Sequence, residues 1–247
     1  MKTLLPAERL IVAADFKPDH TKGQGRTWVK DQVLSLADDL HDLNCIIKVN
    51  SALRLVGYEL ISSLHARGLQ VFADLKLYDI GETLFTDGTI LQEMKPDLLT
   101  TVCAIGEKSL KALKGALPST EVLGVTILTN LTDEEIRFIY GLSISDMVLN
   151  FAKIAANAGL DGLISAPTEA ARLREFLGSE MTINTPAVRP AWTFVPGDDQ
   201  NPERIMTPAQ AIQAGADRIV IGRPILQAKD RREAAIRTIE EIQASVA

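Results

Sequence analysis

The sequence is poor in cysteine, and it lacks any long hydrophobic run. Its 2 cysteines, Cys45 and Cys103, lie in apolar strand-like segments without metal-ligand spacing, so a disulfide framework is excluded and buried, reduced thiols are predicted. No apolar run reaches the roughly 18 residues of a membrane helix. Glu8 and Arg9 interrupt the N-terminal stretch too early for a signal peptide. We therefore expect a cytoplasmic protein without a membrane partner.

Positive charge is also in deficit. Lys and Arg number 26 against 32 Asp and Glu, which gives a formal net charge of −6. Such a chain has no overall field that would attract nucleic acid, so no nucleic-acid partner is expected. Any anionic substrate must be bound by a local cationic pocket. The 3 histidines have no Cys or carboxylate partners at ligand spacing, so they do not indicate a metal site.

Short apolar, β-branched runs alternate with longer segments of helical period along all 247 residues. The runs are 8–15, 44–50, 69–76, 96–103, 120–128, 160–166, 181–186 and 217–222. Helix-like segments between them include 28–43, 51–68, 107–117, 145–159, 168–178 and 207–216. Runs without polar alternation are typical of parallel strands covered on both faces. The pattern predicts one α/β domain over 1–247. Eight strand-then-helix units suggest a single (β/α)₈ TIM barrel, but a doubly wound open sheet gives the same alternation, so periodicity does not decide between them.

Charged residues stand where the first three predicted strands end. Asp15 ends the first, Lys48 lies in the second, and Asp74, Lys76 and Asp79 follow one another at the end of the third. Because side chains alternate along a strand, Asp74 and Lys76 are expected on the same face, at the mouth of a barrel. Charges in an apolar strand are costly unless they are paired. The array therefore predicts a catalytic site, with a plain salt bridge as the alternative.

A second group of residues suits a phosphate. The eighth run leads into Gly222 and Arg223, where barrels often bind phosphate on free N–H groups and a cationic side chain. The long irregular segment 187–206 follows the seventh run. Its residues Arg189 and Gln200 are expected to close over the same anion.

Taken together, these motifs resemble the orotidine 5′-phosphate decarboxylase family. The residues that carry the resemblance are DLKLYDI at 74–80, TPAVRP at 185–190, GDDQ at 197–200 and IGRP at 221–224, with GVTILT at 124–129 and LDGLISAPTEA at 160–170. The likeness runs through nearly the whole chain. It implies a barrel, normally a homodimer, that converts orotidine 5′-monophosphate to uridine 5′-monophosphate and carbon dioxide without metal or organic cofactor.

The resemblance also implies a role for each site residue. Lys48, Asp74 and Lys76 would form the charged catalytic network of one subunit, and Asp79 would reach into the neighbouring subunit's site. Asp15 and Lys48 would hold the ribose hydroxyls, and Thr129 would lie near the pyrimidine. The phosphate would be bound by Arg189, Gln200, Gly222 and Arg223.

The chain departs from the family pattern at four positions. Tyr78, Cys103, Asn130 and Ala187 stand where His, His, Ser and Gly are frequent. An amide at 130 replaces a hydroxyl near the base edge, and Ala187 does not adopt a positive φ as freely as glycine does. None of the four removes a charged catalytic residue.

Two other functions share parts of this pattern. A metal-dependent sugar-phosphate decarboxylase or aldolase of the same barrel group, such as a keto-gulonate phosphate decarboxylase or a hexulose-phosphate synthase, has a similar third strand. Such enzymes typically place a glutamate in strand 2 to help bind magnesium, whereas Lys48 would oppose a metal there. A non-catalytic phosphate-binding barrel is disfavoured because the charge array is complete.

Overall fold

The computed structural model describes residues 4–193 and 204–246. In these ranges, eight parallel strands form a closed barrel in which each strand pairs with the next and the last pairs with the first. The strands are β1 Leu10–Ala13, β2 Ile46–Val49, β3 Gln70–Leu77, β4 Leu98–Val102, β5 Glu121–Val125, β6 Gly162–Ile164, β7 Thr182–Thr185 and β8 Arg218–Ile221. The predicted (β/α)₈ barrel is confirmed, and closure excludes the open sheet.

Helices surround the barrel. They are α1 Arg26–Leu40, α2 Ser51–Val56, α3 Glu59–His65, α4 Gly81–Met94, α5 Glu107–Ala116, α6 Asp133–Tyr140, α7 Ile144–Asn157, α8 Ala170–Leu177, α9 Pro208–Gln213, α10 Arg223–Leu226 and α11 Arg231–Val246. The segment 51–68 is two helices rather than one. Gly57, at φ 111° and ψ 167°, ends α2 in a conformation that a helix cannot continue.

Apolar side chains form two layers, one on each face of the sheet. Inside the barrel, a small cluster fills the centre: Ile11, Ala13, Ile46, Phe72, Leu98, Leu123 and Val220. A much larger cluster lies between the sheet and the helices. The alternation of side chains explains why continuous apolar runs encode these strands, since both faces are covered.

Polar side chains fill the amino-terminal end of the barrel interior. Arg218 donates from both terminal nitrogens to the carboxylate of Glu121, at 2.8 and 3.0 Å, and also to Asn184 Oδ1 at 3.2 Å. The Thr182 hydroxyl donates to the same carboxylate at 2.6 Å. These contacts join β5, β7 and β8 at the end of the barrel opposite the predicted site.

Three aspartates, each just before an even-numbered strand, repeat one arrangement. Asp97, Asp161 and Asp217 precede β4, β6 and β8, and their carboxylates accept the backbone N–H groups of Val71, Val122 and Ile183 on the preceding strands, at 2.7–2.8 Å. Each carboxylate also contacts a cationic or titratable side chain from a surrounding helix: His65, Lys114 and Arg174 respectively. The repeat ties consecutive strands together at their starting ends.

Both cysteines are free and buried, as predicted, and burial raises the pKa of each thiol to about 12. Within 4–193 and 204–246, no single helix has the length and apolar character to cross a membrane. The α6 and α7 helices meet that test only as a pair bent by 57°.

Candidate active site

A cavity of about 350 Å³ opens at the carboxyl ends of the strands, where a barrel active site is expected. Eight of the ten predicted site residues line it: Asp15, Lys48, Asp74, Lys76, Thr129, Arg189, Gly222 and Arg223. Asp79 does not line this cavity; it lies beyond the end of β3, exposed to solvent. Gln200 lies outside the described residues. The structure therefore brings eight of the predicted residues together in one cavity and leaves Asp79 outside it.

Charged side chains from β1, β2 and β3 form a connected network in one wall. The Lys48 ammonium donates to both oxygens of Asp15, at 3.1 and 2.9 Å, and to Asp74 Oδ2 at 3.2 Å. Lys76 Nζ donates to the other oxygen of Asp74 at 2.6 Å, and the Thr100 hydroxyl donates to it at 2.9 Å. Asp74 thus sits between two ammonium groups, and the alternating chain of charges is complete.

Burial and ion pairing shift the pKa values of these groups in opposite directions. Burial disfavours the charged form of Lys48, but the carboxylates of Asp74 and Asp15 outweigh it and raise the pKa of the ammonium group above its ordinary value. Burial likewise opposes ionisation of Asp74, but Lys48 and Lys76 outweigh it and lower the pKa of its carboxyl. Lys48 and Asp74 are therefore both ionised at neutral pH.

The backbone at Lys76 leaves regular strand geometry. Its φ is +50°, and the pairing of β3 with β4 shifts register between Ala73 and Leu77. The Lys76 N–H donates to the Thr100 hydroxyl at 3.0 Å instead of continuing the ladder. Asp74 and Lys76 do meet as predicted. They meet, however, across a shift in the strand register, and such irregularities often re-aim side chains next to active sites.

Groups that suit an anion follow β7 and β8, and β8 lies next to β1 in the closed barrel. Gly222 precedes the short α10, which begins at Arg223, and both residues line the cavity. Arg189 follows Ala187 and Pro186 in the connection after β7, and its backbone N–H donates to Met206 O at 2.9 Å. Ala187 has φ +61°, so it adopts the left-handed conformation for which glycine is better suited.

Several lining residues were not predicted. Lys17, two residues beyond Asp15, adds another cation, and Phe72, Ile164 and Val220 supply an apolar floor. Ser165 also borders the cavity. The signal for Lys17 was its position just after the first strand end. The apolar residues gave none, because strands inside any barrel carry such side chains.

The fold and the cavity define a class: a (β/α)₈-barrel enzyme whose cavity is lined by a lysine–aspartate network together with Arg189 and Arg223. The model of the orotidine 5′-phosphate decarboxylase / HUMPS family matches residues 8–238. The chain belongs to this family.

Individual relatives agree with the family match. The chain is 37% identical over 245 residues to the orotidine 5′-phosphate decarboxylase of Methylobacterium sp., with 97% of each chain covered. It is 31% identical over 250 residues to that of Saccharophagus degradans, covering 98% of this chain and 97% of the relative. The crystal structure of orotidine 5′-phosphate decarboxylase from Lactobacillus acidophilus is similar to this barrel, with a TM-score of 0.78, 28% identity, and 95% and 99% coverage.

Proposed function

We propose that this chain decarboxylates orotidine 5′-monophosphate to uridine 5′-monophosphate, in the synthesis of pyrimidine nucleotides. The observation that carries the proposal is the Lys48–Asp74–Lys76 network, held in one cavity with Gly222 and Arg223. The names of the full-length relatives support the same reaction. No metal or organic cofactor is assigned to it.

The network supplies what the uncatalysed reaction lacks. Loss of carbon dioxide breaks the bond from C6 to the carboxyl carbon and leaves the electron pair on C6, where the pyrimidine ring delocalises it poorly. The Lys76 ammonium, oriented by Asp74 at 2.6 Å, stabilises that developing charge. It then gives its proton to C6 as a general acid and regains one from water. The Lys76 ammonium is therefore both the counter-charge and the proton donor.

Asp74 has a second effect on the bound substrate. Its carboxylate lies close to the substrate carboxylate that departs, and repulsion between the two raises the energy of the ground state. We assign the larger share of the rate enhancement to Lys76, because its charge complements the transition state directly.

The remaining walls bind the rest of the nucleotide. We assign the ribose hydroxyls to Asp15 and Lys48 and the pyrimidine to the side of the cavity that carries Thr129. We assign the phosphate to Arg189, Gln200, Gly222 and Arg223. The phosphate is remote from the breaking bond, so its binding energy lowers the barrier by closing the site and excluding water.

A direct assay tests the reaction. Purified protein is incubated with orotidine 5′-monophosphate in EDTA, and the pyrimidine absorbance is followed. We expect turnover at full rate in the chelator. Turnover only after magnesium is restored, or activity only on a sugar phosphate, would instead favour the metal-dependent sugar-phosphate decarboxylase or aldolase. Uridine 5′-monophosphate binding without any turnover would favour a phosphate-binding barrel.

We further propose a homodimer with shared active sites, in which Asp79 serves the neighbouring subunit. Asp79 is exposed, and its neighbours Tyr78 and Ile80 are 67% and 68% exposed despite their size. Phe85, in the next helix, is 53% exposed. Large apolar side chains beside an exposed carboxylate suit a subunit interface better than a solvated loop.

Subunit mixing tests the shared site. Lys76→Ala and Asp79→Ala homodimers are each expected to be inactive. In a mixed dimer with a two-fold axis, one site carries both defects and the other carries neither, so about half of the heterodimer sites recover activity. Exchange is verified first with two affinity tags. If verified heterodimers stay inactive, Asp79 acts in the active site of its own subunit and the shared-site proposal is wrong.

We also propose that residues 1–247 form one catalytic domain and that the enzyme works in the cytoplasm. The sequence repeats its strand and helix pattern without a linker, and its 2 cysteines are too few for a secreted disulfide scaffold.

A further inference from the structure

A buried arginine lies beside the cavity, outside the network described above. Arg204 is 5% exposed, and its Nη1 group donates to the carbonyl oxygens of Leu128 and Leu131, at 2.9 and 3.4 Å. Those two carbonyls flank a turn in which the Leu131 N–H donates to Leu128 O at 3.2 Å. Thr129, which lines the cavity, lies inside this turn. One guanidinium group therefore holds both ends of the turn that presents Thr129.

The other terminal nitrogen of Arg204 pairs with a buried carboxylate. Its Nη2 group donates to Glu169 Oε1, and the Glu169 side chain is only 11% exposed. Glu169 Oε2 accepts the Ala166 N–H at 3.0 Å and the hydroxyl of Ser165, a residue that borders the cavity. The Arg204–Glu169 pair thus links the connection after β5 to the connection after β6.

This geometry needs an arginine. The planar guanidinium has several N–H donors in a fixed fork, so it reaches two carbonyls and a carboxylate at once. A lysine keeps the charge but offers a single ammonium on a flexible stem. It can stay paired with Glu169 while it releases the carbonyls of the turn.

We propose that Arg204, fixed by Glu169, is a positioning residue that sets the turn carrying Thr129 and thereby the recognition of the pyrimidine base. The inference rests on the proposed function, since it assigns the Thr129 side of the cavity to the base. Arg204 acts on the base through the turn and does not touch the reacting atoms.

Two ligands that differ only by the base test this role. The affinities of uridine 5′-monophosphate and ribose 5-phosphate are measured for the wild type and for Arg204→Lys. We expect the variant to bind the nucleotide at least about tenfold more weakly, the loss typical of a misplaced polar contact. Its affinity for ribose 5-phosphate should stay within about twofold, because the phosphate wall is intact. The KM for orotidine 5′-monophosphate should rise with the nucleotide dissociation constant.

Arg218→Lys is the matched control. Arg218 is 8% exposed, pairs with a glutamate, and leaves its Nε without an acceptor among the described residues, as Arg204 does. It lies at the opposite end of the barrel. The control should lower the melting temperature without changing the ratio of the two affinities.

The outcomes separate the inference from the function on which it rests. If Arg204→Lys weakens both ligands equally, or neither, the positioning role is wrong. If the wild type binds ribose 5-phosphate but not uridine 5′-monophosphate, the proposed function itself is wrong. Should Arg204→Lys not fold, Glu169→Gln carries the same test. We expect it to lower nucleotide affinity selectively, and an equal loss for both ligands would overturn the proposal.

Discussion

Replacing Asp74 by asparagine tests whether the network is a balanced set of charges. Two lysines and two carboxylates alternate in the wild type, and the neutral amide of the Asp74→Asn variant would leave one positive charge in excess. Breaking a buried ion pair typically costs about 3–5 kcal/mol. We expect the lower end, about 3 kcal/mol at pH 7, because Lys76 is 32% exposed and can turn toward water. A domain with about 5–15 kcal/mol of stability would remain folded.

The pH dependence makes this prediction sharper. The lysines hold the pKa of Asp74 below its ordinary value of 3.8, so the stability from its ionisation is present above that value. It is lost as the pH falls through the depressed pKa. Urea unfolding should therefore show the full gap between wild type and Asp74→Asn at pH 7, and a smaller gap below about pH 3.8.

Asp217→Asn provides the comparison. Asp217 and Asp74 are equally buried, each 6% exposed, and Asp217 is paired with Arg174 at the other end of the barrel. Both variants should lose stability at pH 7, but only Asp74→Asn should also lose decarboxylation. The balanced-charge reasoning is refuted if Asp74→Asn is as stable as the wild type at pH 7. A stability gap of the same size at pH 3 and pH 7 would refute it as well.

Three further predictions concern single positions. Lys76→Ala should abolish turnover while the protein still binds uridine 5′-monophosphate, because the lysine acts on charge that is absent from the product. The control Lys111→Ala, on an exposed helix face, should match the wild type in the absorbance assay. Arg223→Ala should weaken uridine 5′-monophosphate binding by about 1.5–3 kcal/mol in calorimetry, as expected for the loss of a charge-assisted contact. The control Arg232→Ala, away from the cavity, should leave the affinity unchanged. An unchanged affinity in Arg223→Ala would place the phosphate elsewhere. Ala187→Gly should change the free energy of unfolding by less than about 1 kcal/mol, because relief of the positive φ offsets the lost methyl burial. Ala187→Val should lower the free energy of unfolding by more than about 1 kcal/mol. A valine variant as stable as the wild type would contradict the strain argument.

The strands were predictable because each is covered on both faces. All eight lie in their predicted runs, except that β3 extends one residue further, to Leu77. The register of β3 against β4 also shifts between Ala73 and Leu77. Period-two alternation correctly predicted that Asp74 and Lys76 meet, but it assumed a regular strand. A positive φ at a lysine is set by tertiary contacts, here the Thr100 hydroxyl, and leaves no mark in the local sequence.

The positioning residues were harder to find than the charged ones. Arg204 lies within the irregular segment 187–206 and belongs to no periodic pattern, and its partners are 35 and more residues away in the chain. The departure at Ala187 was visible, by contrast, because the resemblance places a glycine there, and the structure shows that the alanine adopts a positive φ. The role of Asp79 stays a prediction, because it depends on a second subunit.

The repeated aspartates before β4, β6 and β8 divide the barrel wall into two-strand units. Each carboxylate fastens an even-numbered strand to the odd-numbered strand just before it in the chain, so β3–β4, β5–β6 and β7–β8 are each joined by short-range contacts. New chain termini made by circular permutation should therefore be tolerated better between these units, as between β4 and β5, than inside one. The charged network of the cavity lies across such a boundary, since Lys48 belongs to β2 and Asp74 to β3. The site is therefore complete only once separate units have assembled.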